Sequence, residues 1–61
     1  MKDIKKYTVV WNDEEGNENR YTCITDTAES ASDACFYEEM SDDNGRPVEG
    51  REIVRVIEEN F

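Results

Sequence analysis

Apolar residues gather in four stretches, Tyr7 to Trp11, Tyr21 to Ile24, Ala31 to Met40 and Ile53 to Ile57, and the intervals between them are rich in Asp, Asn, Glu and Gly. From Lys5 to Trp11 the chain sets Tyr7, Val9 and Trp11 on one side and Lys6, Thr8 and Val10 on the other. That is the period of two expected of a strand built from β-branched and aromatic residues. Asn12 to Asn17 is a run of turn formers in which Gly16 is free to take positive φ, and Arg20 to Thr25 resumes the strand composition. The first half therefore reads as an antiparallel hairpin.

Asp26 and Thr27 offer side-chain oxygens for a helix cap, and Glu29 stands three positions after Asp26 as a capping-box partner, so a helix is expected to start near Ala28. Ala28, Ala31, Ala34 and Cys35 recur at three- and four-residue spacing. Their small side chains let one face lie close against a sheet while Glu29, Asp33 and Tyr37 point elsewhere. The helix is expected to end before Asn44-Gly45, with Pro47 preventing its continuation. Val48 to Gly50 then connects to a closing strand, Arg51 to Glu58. The pattern predicts one α+β domain over residues 1–61, in β-β-α-β order, with a three-stranded antiparallel sheet and one helix packed on one face. Such a sheet has two edges and an uncovered face, which is expected to expose Val10, Ile24 and some of Val54 and Val56, or else their alternates, because these strands are apolar on both sides. A second copy of the chain or another protein is expected to cover that face or pair with an edge strand; scattered exposed apolar residues in a small domain are the plainer explanation.

Length limits what the domain can do. At 61 residues it buries only about 60 % of the surface its unfolded chain exposes, and a deep catalytic pocket would consume most of the core. There is no His, which excludes Ser-His and Cys-His catalysis and imidazole-ligated metals. Cys23 and Cys35, twelve positions apart, match no four-ligand zinc pattern and read as small buried hydrophobes. No apolar run reaches membrane-span length, and Met1 to Lys6 lacks the apolar core of a signal peptide, so a cytosolic protein with reduced thiols is expected. Asp42-Asp43-Asn44-Gly45 resembles part of a calcium loop, but the positions that would need an acid and a bidentate Glu hold Met40 and Arg51, and no metal or other cofactor is expected. Glu38 and Glu39 are neighbours on a helix and point in different directions, so they do not make an acid/base pair. Catalysis is the weakest reading of the sequence, and no catalytic residue is assigned.

Charge adds the clearest clue. Against 16 Asp and Glu stand 7 Lys and Arg, a net charge of -9. Tyr21 to Gly45 holds Asp26, Glu29, Asp33, Glu38, Glu39, Asp42 and Asp43 with no Lys or Arg at all. Asp13, Glu14 and Glu15 in the hairpin turn form a second acidic group. Clustered carboxylates repel one another and destabilise a small domain, which invites a functional explanation. Glu29 and Asp33 lie roughly 6 Å apart along a helix, comparable to phosphate steps along one DNA strand, so a folded acidic surface can imitate a nucleic-acid backbone in a basic groove. Direct nucleic-acid binding is not expected, because Lys2, Lys5 and Lys6 are the largest basic group. Phe36, Tyr37 and Met40 lie among Glu38, Glu39 and Asp42, the composition of an apolar anchor within steering charges; Phe36 and Met40 equally suit the end of the core.

The strand Tyr7-Thr8-Val9-Val10-Trp11 entering the acidic turn Asn12-Asp13-Glu14-Glu15-Gly16, the helical Ser32-Asp33-Ala34-Cys35-Phe36-Tyr37-Glu38 and the closing Arg51-Glu52-Ile53-Val54-Arg55-Val56-Ile57 resemble the layout of small phage-encoded inhibitors that imitate DNA, of the dimeric type that blocks uracil-DNA glycosylase. The resemblance covers most of the chain as pattern. It implies a homodimeric, non-catalytic inhibitor working in the host cytoplasm, with Phe36 and Glu38 at the positions of the helical aromatic and acid that engage the enzyme. The longer helix and the loop from Asp42 to Gly50 depart from that layout and leave the target open to any DNA- or RNA-binding host factor, including a restriction or CRISPR nuclease. The expected partner surface comprises Glu29, Asp33, Phe36, Tyr37, Glu38, Glu39, Asp42 and Asp43, with Asp13, Glu14 and Glu15 secondary, and the expected partner is a basic nucleic-acid-binding protein rather than nucleic acid or a membrane. The alternative is a structural or small regulatory module acting through the open sheet face or the aromatic end of the helix, its acids serving solubility only.

Overall fold

A computed structural model describes residues 4–59. Strands β1 (Lys5–Asn12) and β2 (Glu18–Thr25) form the hairpin, α1 (Ala28–Glu39) lies across one face, and β3 (Glu52–Glu59) pairs with the other side of β1. The sheet order is β2-β1-β3 with both pairings antiparallel, the α+β arrangement expected from the sequence. The result is a thin slab, 37 × 23 × 12 Å.

The alternation in β1 decides which face carries the core. Tyr7, Val9 and Trp11 are buried together with Ala31, Cys35 and Met40, and Tyr21, Cys23, Phe36, Ile53 and Val56 pack around them. Val9, the middle residue of the middle strand, is wholly buried, which stabilises the fold by about 1.5–3 kcal/mol. Ala31 and Cys35 are also wholly buried; anything larger at either position would push the helix off the sheet.

The uncovered face differs from expectation. Val10 lies on it but is fully buried, because the register sets Arg20 and Arg55 opposite it on the neighbouring strands and long aliphatic stems there shield a central residue. Val56 lies opposite Val9 and belongs to the helix side. Between Val10 and Trp11 the β1–β3 register shifts, from Val10↔Arg55 to Trp11↔Ile53, so Val54 is the extra residue of a bulge. Ile24, 59 % exposed, and Val54, 51 % exposed, are then left near opposite corners. The buried Thr8 hydroxyl on this face is satisfied by the Glu59 carboxylate at 2.7 Å and stands 3.3 Å from that of Thr22. The open face is thus a mosaic of polar and apolar positions.

Helix α1 starts at Ala28, as expected, but is capped by one of the two candidates alone and stops earlier. Thr27, not Asp26, is the N-cap: its Oγ1 accepts the Ser30 N–H at 3.1 Å, which supersedes the Asp26–Glu29 capping box. The helix ends at Glu39, well before Asn44. Met40 buries its side chain at the end of the core and gives its carbonyl to the Val48 N–H, while the Ser41 hydroxyl donates to the Phe36 carbonyl. Asp42 and Asp43 therefore sit in a turn. That turn repeats the β1–β2 turn closely. In each, an Asp Oδ1 accepts two backbone N–H groups, from Glu15 and Asn17 at Asp13 and from Asn44 and Arg46 at Asp42. The Asp carbonyl accepts the N–H of a glycine three residues on, Gly16 or Gly45.

Gly16 takes φ +84° with open space around it, whereas Gly50 takes φ +93° and a Cβ there would lie 3.1 Å from the Glu14 Cβ. Gly16→Ala is expected to cost about 1–2 kcal/mol through its backbone alone. Gly50→Ala should cost more, since it adds a collision with the hairpin turn. Urea unfolding of the two variants side by side checks the order.

Candidate acidic interface

Because Asn12 pairs with both Glu18 and Glu52, the β1–β2 turn and the start of β3 share one end of the slab, and α1 runs back toward that end. Arg51 fastens the three elements there. Its guanidinium grips the Glu14 carboxylate through Nε at 2.7 Å and Nη2 at 3.2 Å, donates through Nη1 to the Glu39 carbonyl, and lies 5.6 Å from the centroid of the Trp11 ring. No basic residue occupies the last turn of α1, so Arg51, just before β3, supplies the positive charge that a helix C-terminus favours.

Glu29, Asp33 and Tyr37 recur every four residues and are exposed on the outer side of α1, with steps of roughly 6 Å. Tyr37 is 73 % exposed and meets Phe36 edge to face at 6.1 Å. Phe36 itself packs against the core. Tyr37, rather than Phe36, is the aromatic ring on the outer surface. Glu38 is exposed, and its charge adds to burial in raising the pKa of the Tyr21 phenol. Glu39 is half-buried, and Asp43 is exposed in the second turn.

The acids divide into two sets. Asp13, Glu14 and Asp42 are engaged internally: Asp13 by the N–H groups of Glu15 and Asn17 and the amide of Asn19, Glu14 by Arg51, and Asp42 by Asn44 and Arg46. Glu15, Glu29, Asp33, Glu38 and Asp43 make no side-chain hydrogen bond or ion pair among the described residues. The first set builds the scaffold. The second is available to a partner.

Hydrogen bonds from the Asn17 N–H and the Asn19 amide hold the Asp13 carboxyl below its ordinary pKa of 3.8, and the grip of Arg51 lowers that of Glu14. A carboxylate whose folded pKa is depressed contributes stability that is complete above the unfolded pKa and is lost as pH falls through the folded value. The stability gap between the protein and Asp13→Asn is therefore expected to narrow below pH 3.8. Thermal unfolding of both at neutral and acid pH measures it.

Elsewhere, burial pushes the Cys35 thiol up to about 11 and raises Cys23 as well, so both are protonated at neutral pH and poor nucleophiles. Among the described residues no His, Cys, Asp and Glu side chains cluster in a way that could hold a metal ion, and no helix is long and apolar enough to cross a membrane. Comparison with known protein families, curated proteins and solved structures finds no match; the surface has to be interpreted from its own chemistry.

Proposed function

We propose that the protein acts without catalysis, as an acidic binding protein whose carboxylates occupy the phosphate-binding groove of a basic nucleic-acid-binding protein: a DNA-mimic inhibitor of the kind a phage directs against a host enzyme. The supporting observation is the set of free carboxylates, Glu29 and Asp33 along α1, Glu38 near its end and Asp43 in the second turn, on a segment from Tyr21 to Gly45 without a single Lys or Arg, together with Glu15 in the β1–β2 turn. A solvated surface needs no such segregation, since interspersed charges of both signs keep a protein soluble with less self-repulsion. Internal hydrogen bonds at Asp13 and Asp42 fix the turns, so the free carboxylates are presented at set positions, as a rigid phosphate backbone would be. Tyr37 adds an exposed aromatic contact in their midst.

Attraction between an acidic face and a basic groove speeds encounter and is screened by salt. Pull-down from host lysate at low and high ionic strength, with the bound proteins identified, is expected to capture nucleic-acid-binding proteins at low salt and to lose them steeply as salt rises. Capture of the same partner equally well at both would assign the acids to solubility and favour the assembly reading.

A further inference from the structure

The geometry points to the outer edge of β2 as the place where a second copy of this chain joins, adding strand to strand rather than sheet face to sheet face. In the hairpin the Asp13 N–H donates to the Asn17 carbonyl, and hydrogen-bonded and non-hydrogen-bonded pairs alternate from there along an antiparallel ladder. Trp11↔Asn19, Val9↔Tyr21 and Tyr7↔Cys23 are then the bonded pairs. It follows that the backbone N–H and C=O groups of Glu18, Arg20, Thr22 and Ile24 point away from β1, toward an edge that no other strand covers among the described residues.

The two edges of the sheet are not equivalent. β3 carries the bulge at Val54 and three acids, Glu52, Glu58 and Glu59, the last two paired with Lys5 and Lys6 of β1, with Arg55 as its own cation and Glu49 and Arg51 before it. Bulges and charges of this kind keep other strands off an edge. β2 is regular for all eight residues, with no proline, lysine or bulge, and its one acid, Glu18, is balanced by Arg20 at 3.8 Å. In a chain of net charge -9, β2 itself carries no net charge, while Glu38 and Glu39 of α1 stand within electrostatic reach of Tyr21 and oppose the approach of a second copy until salt screens them. The sequence Tyr21-Thr22-Cys23-Ile24-Thr25 also has high strand propensity.

A twofold axis through Tyr21 makes the pairing self-complementary. It sets Arg20 opposite Thr22 and Glu18 opposite Ile24 of the other copy, uses the outward groups of all four residues on both chains in roughly eight backbone hydrogen bonds, and brings the two Tyr21 rings together on the helix side, a favoured cross-strand pair. Both helices then lie on the same side of a six-stranded sheet, whose two β1 strands are about 14 Å apart from the strand spacing. The open face offers no continuous apolar patch for a face-to-face contact, because Ile24 and Val54 stand near opposite corners and Val10 is already covered.

Association is expected to be weak, as one strand pair lies at the small end of interface sizes, and to strengthen with salt, which screens two equally acidic copies. This is opposite to the salt response expected for target capture, so the two interactions fail or stand separately. Amide hydrogen exchange on the whole chain reads the edge directly: the Arg20, Thr22 and Ile24 amides should be protected at high protein concentration and lose protection on dilution, while those of Tyr21 and Cys23 stay protected. Thr22→Pro removes an outward N–H without touching the β1 ladder and should weaken dimerisation by more than about tenfold. A mass that stays monomeric at the highest soluble concentration, or a dimer in which the Thr22 and Ile24 amides exchange as fast as in the monomer, overturns the proposal. Dimerisation of a folded Thr22→Pro variant with unchanged affinity does the same, and if that variant does not fold, exchange in the unaltered protein decides.

Discussion

Replacing Trp11 with alanine is expected to leave the chain largely unfolded at room temperature. Trp11 is 7 % exposed and sits in the core cluster beneath the Arg51 guanidinium. Truncating a buried Trp to Ala costs about 3–5 kcal/mol, and a core of this size seldom supplies more than roughly 3–5 kcal/mol of net stability. The two figures meet, so the variant has nothing left. Trp11→Phe separates ring packing from the indole N–H. The Trp11 Nε1 is buried with no hydrogen-bond partner among the described residues, and an orphaned donor costs about 1–3 kcal/mol. Phenylalanine removes that cost while keeping most of the apolar volume, so this variant should stay folded with stability close to that of the parent. Far-ultraviolet circular dichroism through a urea titration distinguishes the two. An unfolded Trp11→Phe would mean that the indole makes a contact the structure does not contain.

The second large effect concerns binding. Reversing Glu29, Asp33 and Glu38 together to lysine turns three free carboxylates into cations and changes the net charge by six units, from -9 to -3. If these groups meet a phosphate-binding groove, close charge pairs worth about 1.5–7 kcal/mol each are replaced by repulsions, and affinity for the captured partner should fall by several orders of magnitude. Among the described residues none of the three supports the fold through a side-chain hydrogen bond or ion pair, so the melting temperature should hold or rise as repulsion is relieved. Tyr37→Ala should weaken binding with little change in its salt dependence. Phe36→Ala is expected to act mainly through stability, because that ring packs against the core.

The fold was legible where a short-range pattern is sufficient. Alternation in Lys5 to Trp11, the turn formers around Gly16 and the small residues of the helix each announce one local conformation, and their order leaves few ways to build the sheet. The end of α1 was misread because Ser41, Asp42 and Asp43 are no worse in a helix than in a turn. A usable signal was nevertheless present, since Asp42-Asp43-Asn44-Gly45 repeats the grammar of Asp13-Glu14-Glu15-Gly16. Val10 looked exposed on alternation alone, and only the cross-strand register shows it between two arginines. The Arg51 clamp was out of reach: its partner Glu14 is 37 positions away, and nothing local distinguishes that arginine from Arg55. For the same reason the acidic residues were recognised as a group from the sequence, but their division into scaffold and free carboxylates required the hydrogen bonds.

The most direct measurement takes the partner captured from lysate, purifies it, binds it to a labelled nucleic-acid duplex and adds the acidic protein. The expected result is displacement of the duplex, with an apparent affinity that falls as duplex concentration rises and that is lost in the Glu29, Asp33 and Glu38 reversal. Formation of a ternary complex, in which partner, duplex and acidic protein remain together, would contradict the proposal that the acidic face takes the place of a phosphate backbone.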